Sequence, residues 1–217
     1  TQQIGDLLQG ATGTDVSVRM RRPGQNAPLA FDLTRRKVKV PDGPYQGMIS
    51  ERTGYLALNS FTKTAHANVR KALLNLTDSL GAENVVIDLR GNGGGLLREA
   101  ISIVNLFVGK GQEVVSTKGK RPDWNKSYKT RGSALRPNLP LAILVDGKSA
   151  SASEIVAGTL QDLDRAVVVG EESFGKGLVQ QTKKLAYGTR MKVTVAKYYT
   201  PSGRCVQRLD YSHRDGE

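Results

Sequence analysis

Apolar residues recur along this chain with two different periods, and the switches between them mark out its elements. Val16, Val18 and Met20 alternate with polar neighbours in DVSVRMRR, the pattern of a strand with one covered face. A short helical stretch, Ile4 to Leu8, and a glycine-marked turn, GATGTD, come before it. Three elements in so few residues cannot enclose a core, so this start is expected to pack on something else or to be the tail of a larger unit. After a loop, RPGQN at 22–26, strand-like stretches are expected around Phe31 to Leu33 and Lys37 to Val40, and GMISERTGYLALNSF reads as a hairpin. From 64 to 80 the period changes. Val69, Ala72, Leu73, Leu76 and Leu80 fall at helical spacing while Asn68, Arg70, Lys71 and Asp78 lie elsewhere on the wheel, which predicts an amphipathic helix.

Beyond this helix a unit appears twice. VVIDL (85–89) is a continuous apolar run, followed by a glycine cluster and a helix with Leu97, Ala100, Ile101, Val104 and Val108 on one face. LAILV (141–145) leads through a small-residue turn into a helix aligning Val156, Leu160 and Leu163, and then to AVVVG (166–170). Apolar strands alternating with helices predict an α/β fold whose central strands are covered by helices. Residues 178 to 199 alternate in strand fashion around a turn at AYGTR, predicting a β-rich end, and the polar stretch 118 to 140 reads as an irregular loop or flap.

With 217 residues the chain can bury one substantial core. The single cysteine, Cys205, excludes an internal disulfide framework and a multi-cysteine metal site. No run of about eighteen apolar residues occurs, and TQQIGDLLQG is not a signal peptide; an export signal or membrane anchor is expected, if anywhere, ahead of Thr1. A net charge of +12 invites a nucleic-acid reading, but the basic residues are scattered, aromatics make up 6% of the chain, and no nucleic-acid-binding motif is found. Attraction to anionic polymers or surfaces is the more ordinary consequence.

The candidate chemistry lies in GKSASASEI (147–155) and FGKGLVQ (174–180). A serine hydroxyl needs a base, ordinarily a histidine. The two histidines, His66 in a helical pattern and His213 in a polar tail, do not suit that role. Lysine serves when its neutral amine is favoured, and Lys176, flanked by Gly175 and Gly177 with no acid within two residues, is the candidate. Ser151 falls near the start of a helix at the end of LAILV, where the N–H of Ala152 can meet a developing oxyanion. The plainer alternative is that Ser149, Ser151 or Ser153 caps the helix. The glycines of VVIDLRGNGGGLL permit close approach of a ligand to the backbone; they match neither a P-loop nor a dinucleotide fingerprint, and a plain tight turn remains the alternative. On a strand, Lys176 and Gln180 share a face, so Gln180 can orient the amine without adding charge. Asp162 lies eleven residues along the helix, roughly 16 Å from Ser151, and is expected to be structural.

Three segments carry a resemblance. GKSASASEIVAGTLQDLDRAVVVGEESFGKGLVQ resembles the nucleophile and lysine regions of the carboxyl-terminal processing proteases, also called tail-specific proteases. VVIDLRGNGGGLL and YYTPSGRCVQ resemble further segments of that family, and together the resemblance covers most of 46–208. It implies Ser151 as nucleophile, Lys176 as general base, Gln180 as the lysine-orienting residue, and an oxyanion hole from Ala152 and a glycine of 93–95, with Gly94 the expectation. It also implies a ClpP/crotonase-like mixed sheet with covering helices, no cofactor and no metal, polypeptide substrates with exposed C-termini, and a bacterial envelope or periplasmic setting. Homo-oligomer formation is left open.

IGDLLQGATGTDVSVRMRRPG resembles only the closing helix and final strand of the PDZ domain that precedes the family core. Residues 1–23 are therefore expected to be a PDZ remnant and 24–217 the protease core, in a piece that is weakly active or inactive by itself. The competing readings are a crotonase-like acyl-CoA enzyme and a non-catalytic peptide-binding scaffold.

Overall fold

The computed structural model describes residues 2–36 and 45–208. The expected strand at Lys37 to Val40 and His213 lie outside the described residues. Two compact units divide after Val40.

In the first unit, helix α1 (Gln2–Leu8) precedes strands β1 (Asp15–Met20) and β2 (Leu29–Thr34), which pair antiparallel from Asp15 opposite Thr34 to Met20 opposite Leu29. The unit thus extends past residue 23 and takes in β2. Val16 and Val18 are half-covered between exposed neighbours, as the alternation predicts. None of the unit's described side chains is fully buried, and polar contacts do much of the holding. The Arg35 guanidinium donates to the carbonyls of Leu7, Leu8 and Asp15 and to Thr14 Oγ1, satisfying carbonyls that the end of so short a helix leaves unpaired.

The second unit holds a five-stranded mixed sheet. Its strands are β3 (Tyr45–Met48), β4 (Thr53–Ala57), β5 (Asn84–Asp88), β8 (Leu141–Val145) and β9 (Val167–Gly170), in the order β3-β4-β5-β8-β9. β3 and β4 form the expected antiparallel hairpin; β4, β5, β8 and β9 run parallel. The helices are α2 (Ala65–Leu74), α3 (Leu97–Val104) and α4 (Ala152–Asp162), with α3 packed against both others. Their apolar stripes meet the strands in one core that includes Phe61, Leu73, Leu76, Ile87, Ile103, Ile143, Ile155 and Leu160.

Three details depart from the sequence pattern. The amphipathic stretch at 64–80 is α-helical only to Leu74 and continues as a wider π turn, Asn75–Ser79. β9 is an edge strand with Val167 and Val169 exposed, so its apolar run does not signal burial on both faces. The segment expected to be irregular carries part of a second, four-stranded antiparallel sheet, ordered β10-β11-β6-β7. Here β6 (Glu113–Gly119) pairs with β7 (Lys126–Lys129), and the expected hairpin of β10 (Leu178–Lys184) and β11 (Arg190–Tyr199) completes the sheet. The β6–β7 connection is held by side chains: Thr117 Oγ1 donates to Trp124 O and accepts from Lys126 N–H, and Asn125 Oδ1 accepts from Gly119 N–H. Such pairing leaves no hydrophobic alternation to read.

Candidate active site

Neighbouring parallel strands β5 and β8 end on the same side of the sheet, which brings the glycine loop (89–95) beside the turn that enters α4. Asp146 closes that turn, accepting from the N–H groups of Gly91, Lys148 and Ser149. Burial alone pushes the Asp146 carboxyl up, but less than the Gly91 N–H holds it down, and the remaining donors reinforce a net depression. Ser149 Oγ donates to Leu89 O, Ser153 Oγ donates to Asn92 O, and Ala150 N–H also reaches Asn92 O. Asn92, fully buried, donates through Nδ2 to Leu58 O and accepts through Oδ1 from Gly94 N–H. At the foot of the loop, Asp88 accepts from Arg90 and from the Tyr55 hydroxyl.

These bonds separate the three serines. Ser149 and Ser153 are buried and hold the two loops together, whereas Ser151 is half-exposed and its hydroxyl donates to no described group. Ser151 is the N-cap of α4, as the plain alternative requires, but with φ 57 and ψ −111 it occupies a strained strand-to-helix turn. Non-glycine residues hold such angles at a cost of about 1–3 kcal/mol.

The glycine run lies against this turn. A Cβ on Gly94 would sit 2.8 Å from Ser151 Cβ and 3.0 Å from Ala152 N. The Gly94 N–H, however, is already donated to Asn92. Phe61 is bridged through Gly94 O and Leu96 N, so the Gly95 N–H faces away from it. The N–H groups of Gly95 and Ala152 have no acceptor among the described residues.

Lys176 sits on the 171–177 loop, its main-chain N–H 2.9 Å from Glu154 Oε2. Its side chain is exposed, and no hydrogen bond joins it to Ser151 among the described residues. Gln180 is exposed on β10, with Nε2 3.5 Å from Thr194 Oγ1. The structure therefore brings together Ser151, Ala152 and Gly94, and the main chain at Lys176, without joining the serine, lysine and glutamine side chains. The residue that sequence reasoning misses is Glu154, which accepts from Ser151 N–H at 2.7 Å; its signal is the S-x-x-E spacing of a capping box. Asn92 and Asp146 have no comparable signal.

Asp162 closes the far end of α4, accepting from Ser202 N–H and pairing with Arg204. Burial pushes its carboxyl up, but hydrogen bonds from Thr200, Ser202 and Arg204 together outweigh it and hold the group below the usual carboxylate range. A depressed native value contributes stability above the unfolded value of about 3.9 and loses it as pH falls through the native value. Asp162→Asn is therefore expected to lower the urea midpoint at neutral pH, with the gap to wild type closing below about pH 4. A gap unchanged on acidification would count against this account.

Among the described residues no cluster of His, Cys, Asp and Glu is arranged to hold a metal, and no helix is long and apolar enough to cross a membrane. The family model of peptidase family S41 matches residues 52–211. The chain belongs to peptidase family S41. This S41 chain is 37% identical over 207 residues to a carboxy-terminal-processing protease of Bartonella bacilliformis, covering 94% of the chain and 47% of that protein. A carboxyl-terminal-processing protease of Synechocystis is 37% identical over 205 residues, covering 93% of the chain and 47% of the relative. Among solved structures, a photosystem II D1 C-terminal processing protease superposes with a TM-score of 0.71 at 30% identity, over 94% of this chain and 56% of that one. The S41 chain thus spans about half the length of the curated relatives it matches.

Proposed function

We propose that this chain carries the catalytic core of a serine endopeptidase of the carboxyl-terminal processing type, cleaving polypeptides near their C-terminal tail. The observation that supports it most is Ser151 itself: a strained, half-exposed serine between two cross-tied loops, beside two amides with no acceptor. Ser151 Oγ attacks the scissile carbonyl carbon while Lys176 Nζ takes the hydroxyl proton, and the C–O bond forms as the carbonyl π electrons move to oxygen. Ala152 N–H and an amide of the glycine run receive the oxyanion; in this geometry the unoccupied amide is that of Gly95, with Gly94 permitting the close approach. Collapse breaks the C–N bond, the amine leaves with the proton held by Lys176, and water activated by the same amine hydrolyses the ester. Gln180 orients the lysine. Because Lys176 and Ser151 are not hydrogen-bonded here, catalysis requires the lysine side chain to turn toward the serine when substrate binds.

Residues 1–23 are read as the end of a PDZ domain, the core as ClpP/crotonase-like, and the setting as the bacterial envelope. The test is covalent. Incubating the full-length protein with a fluorophosphonate should add one phosphonyl group, located on Ser151 by peptide mass spectrometry. An unmodified Ser151, or an adduct elsewhere only, would refute the assignment and favour a binding scaffold.

A further inference from the structure

Glu154 is buried, yet no described cation forms an ion pair with it. Burying a carboxylate is costly unless its oxygens are well satisfied, and here both are. Oε1 accepts from Ser173 Oγ at 2.8 Å and Gly175 N–H at 2.6 Å. Oε2 accepts from Ser151 N–H at 2.7 Å and Lys176 N–H at 2.9 Å. One oxygen atom therefore stands between the main chains of the nucleophile and the lysine. The loop carrying Ser173, Gly175 and Lys176 forms no strand of its own, so Glu154 supplies acceptors that a sheet neighbour would otherwise provide. The loop's other side is also constrained: a Cβ on Gly175 would lie 2.4 Å from Arg208 Cβ, and Arg208 N–H donates to Gly175 O.

We propose that Glu154 is the positioning residue of this site, holding the strained turn at Ser151 and the lysine loop in a common register so that the Lys176 amine can reach the Ser151 hydroxyl. The proposal rests on the Ser151–Lys176 reading above. The Glu154 carboxylate acts through those two residues and touches no reacting atom. Its position on α4 explains why a side chain serves better than a loop contact: the helix packs in the core, so the acceptor is rigid while the 171–177 segment is carried by it.

The test uses Glu154→Gln in the full-length protein, with rates expressed per mole of protein shown to be folded by circular dichroism. Gln keeps the size but replaces one oxygen by an N–H donor: at the Oε2 place this forfeits the bonds from Ser151 and Lys176 N–H, and at the Oε1 place the bond from Gly175 N–H, where Ser173 Oγ can turn to accept. Misplacement near 1 Å costs on the order of a hundredfold in rate, so kcat is expected to fall about 10- to 100-fold while KM stays within about twofold. In a Lys176→Ala background the same change should cost less than about twofold, because its effect passes through the lysine. An unchanged kcat per folded protein, or a full multiplicative loss in the Lys176→Ala background, would overturn the proposal. If Glu154→Gln does not fold, Ser173→Ala, which removes one bond to Oε1, should lower kcat several-fold at constant KM, and no change there overturns it equally. The two readings fail separately: full activity in Lys176→Ala sinks the serine–lysine assignment, whereas inactive Lys176→Ala with fully active Glu154→Gln sinks only the role of Glu154.

Discussion

Ser151→Ala in the full-length protein is expected to lower kcat for a peptide substrate by at least about a thousandfold, because the proposed acyl-enzyme forms on its hydroxyl. Lys176→Ala should lose a comparable factor, and the double variant should be no worse than either single one, since the two groups act as a unit. Lys176→Arg discriminates further. A guanidinium keeps the positive charge but cannot give up its proton, so a lysine that served only as a cation would be replaced with little loss, whereas a lysine base would not. Rates come from steady-state cleavage of a fluorogenic peptide, with folding checked by circular dichroism. Wild-type turnover in Ser151→Ala, or in Lys176→Arg, would rule out the mechanism.

Gly94→Ala is expected to damage both the fold and the site. Gly94 has φ +98, and a Cβ there would lie 2.6 Å from Ala150 O, 2.8 Å from Ser151 Cβ and 3.0 Å from Ala152 N. None of these neighbours is the end of a flexible side chain, so the glycine run and the nucleophile turn must separate. Backbone strain and overpacking together should cost about 2–4 kcal/mol of unfolding free energy. Activity should fall at least about a hundredfold even well below the melting temperature, because Ser151 and the facing amides no longer share one geometry. Gly93 is the control one residue away. A Cβ there meets nothing within 4 Å and its φ is not positive, so Gly93→Ala should leave stability and turnover near wild type. Equal behaviour of the two variants in thermal unfolding and peptide cleavage would show that the packing at Gly94 does not matter.

Most elements of the second unit were legible because burial imposes a period. β5 and β8 read as apolar runs and α2, α3 and α4 as stripes at helical spacing, whereas β10 and β11, largely exposed around their turn, were read from strand-like alternation and the turn residues. β6 and β7 were not, since β7 is Lys126, Ser127, Tyr128 and Lys129 and its connection to β6 is fastened by Thr117 and Asn125 rather than by apolar side chains. The helix at 64–80 was too long by a π turn because periodicity senses which face is covered, not how the hydrogen bonds close. The hidden N-terminal support of α2 is similar: Glu99, from α3, accepts the His66 N–H, and nothing near His66 in the chain announces it.

Residue types and local spacing were enough to nominate Ser151, Lys176 and the glycine run, because a nucleophile, a base without nearby acid and a backbone free of Cβ atoms are chemical requirements written within a few positions. They could not say which of Ser149, Ser151 and Ser153 keeps a free hydroxyl proton. That was decided by contacts between segments 60 and 61 residues apart, where Leu89 O and Asn92 O take the hydroxyls of Ser149 and Ser153. Nor could they show that Gly94 N–H turns to Asn92 while Gly95 N–H does not, or that Glu154 joins the serine turn to the lysine loop. A hydrogen bond depends on direction and distance in space, and only the folded arrangement of β5, β8 and α4 brings these donors and acceptors within reach of one another.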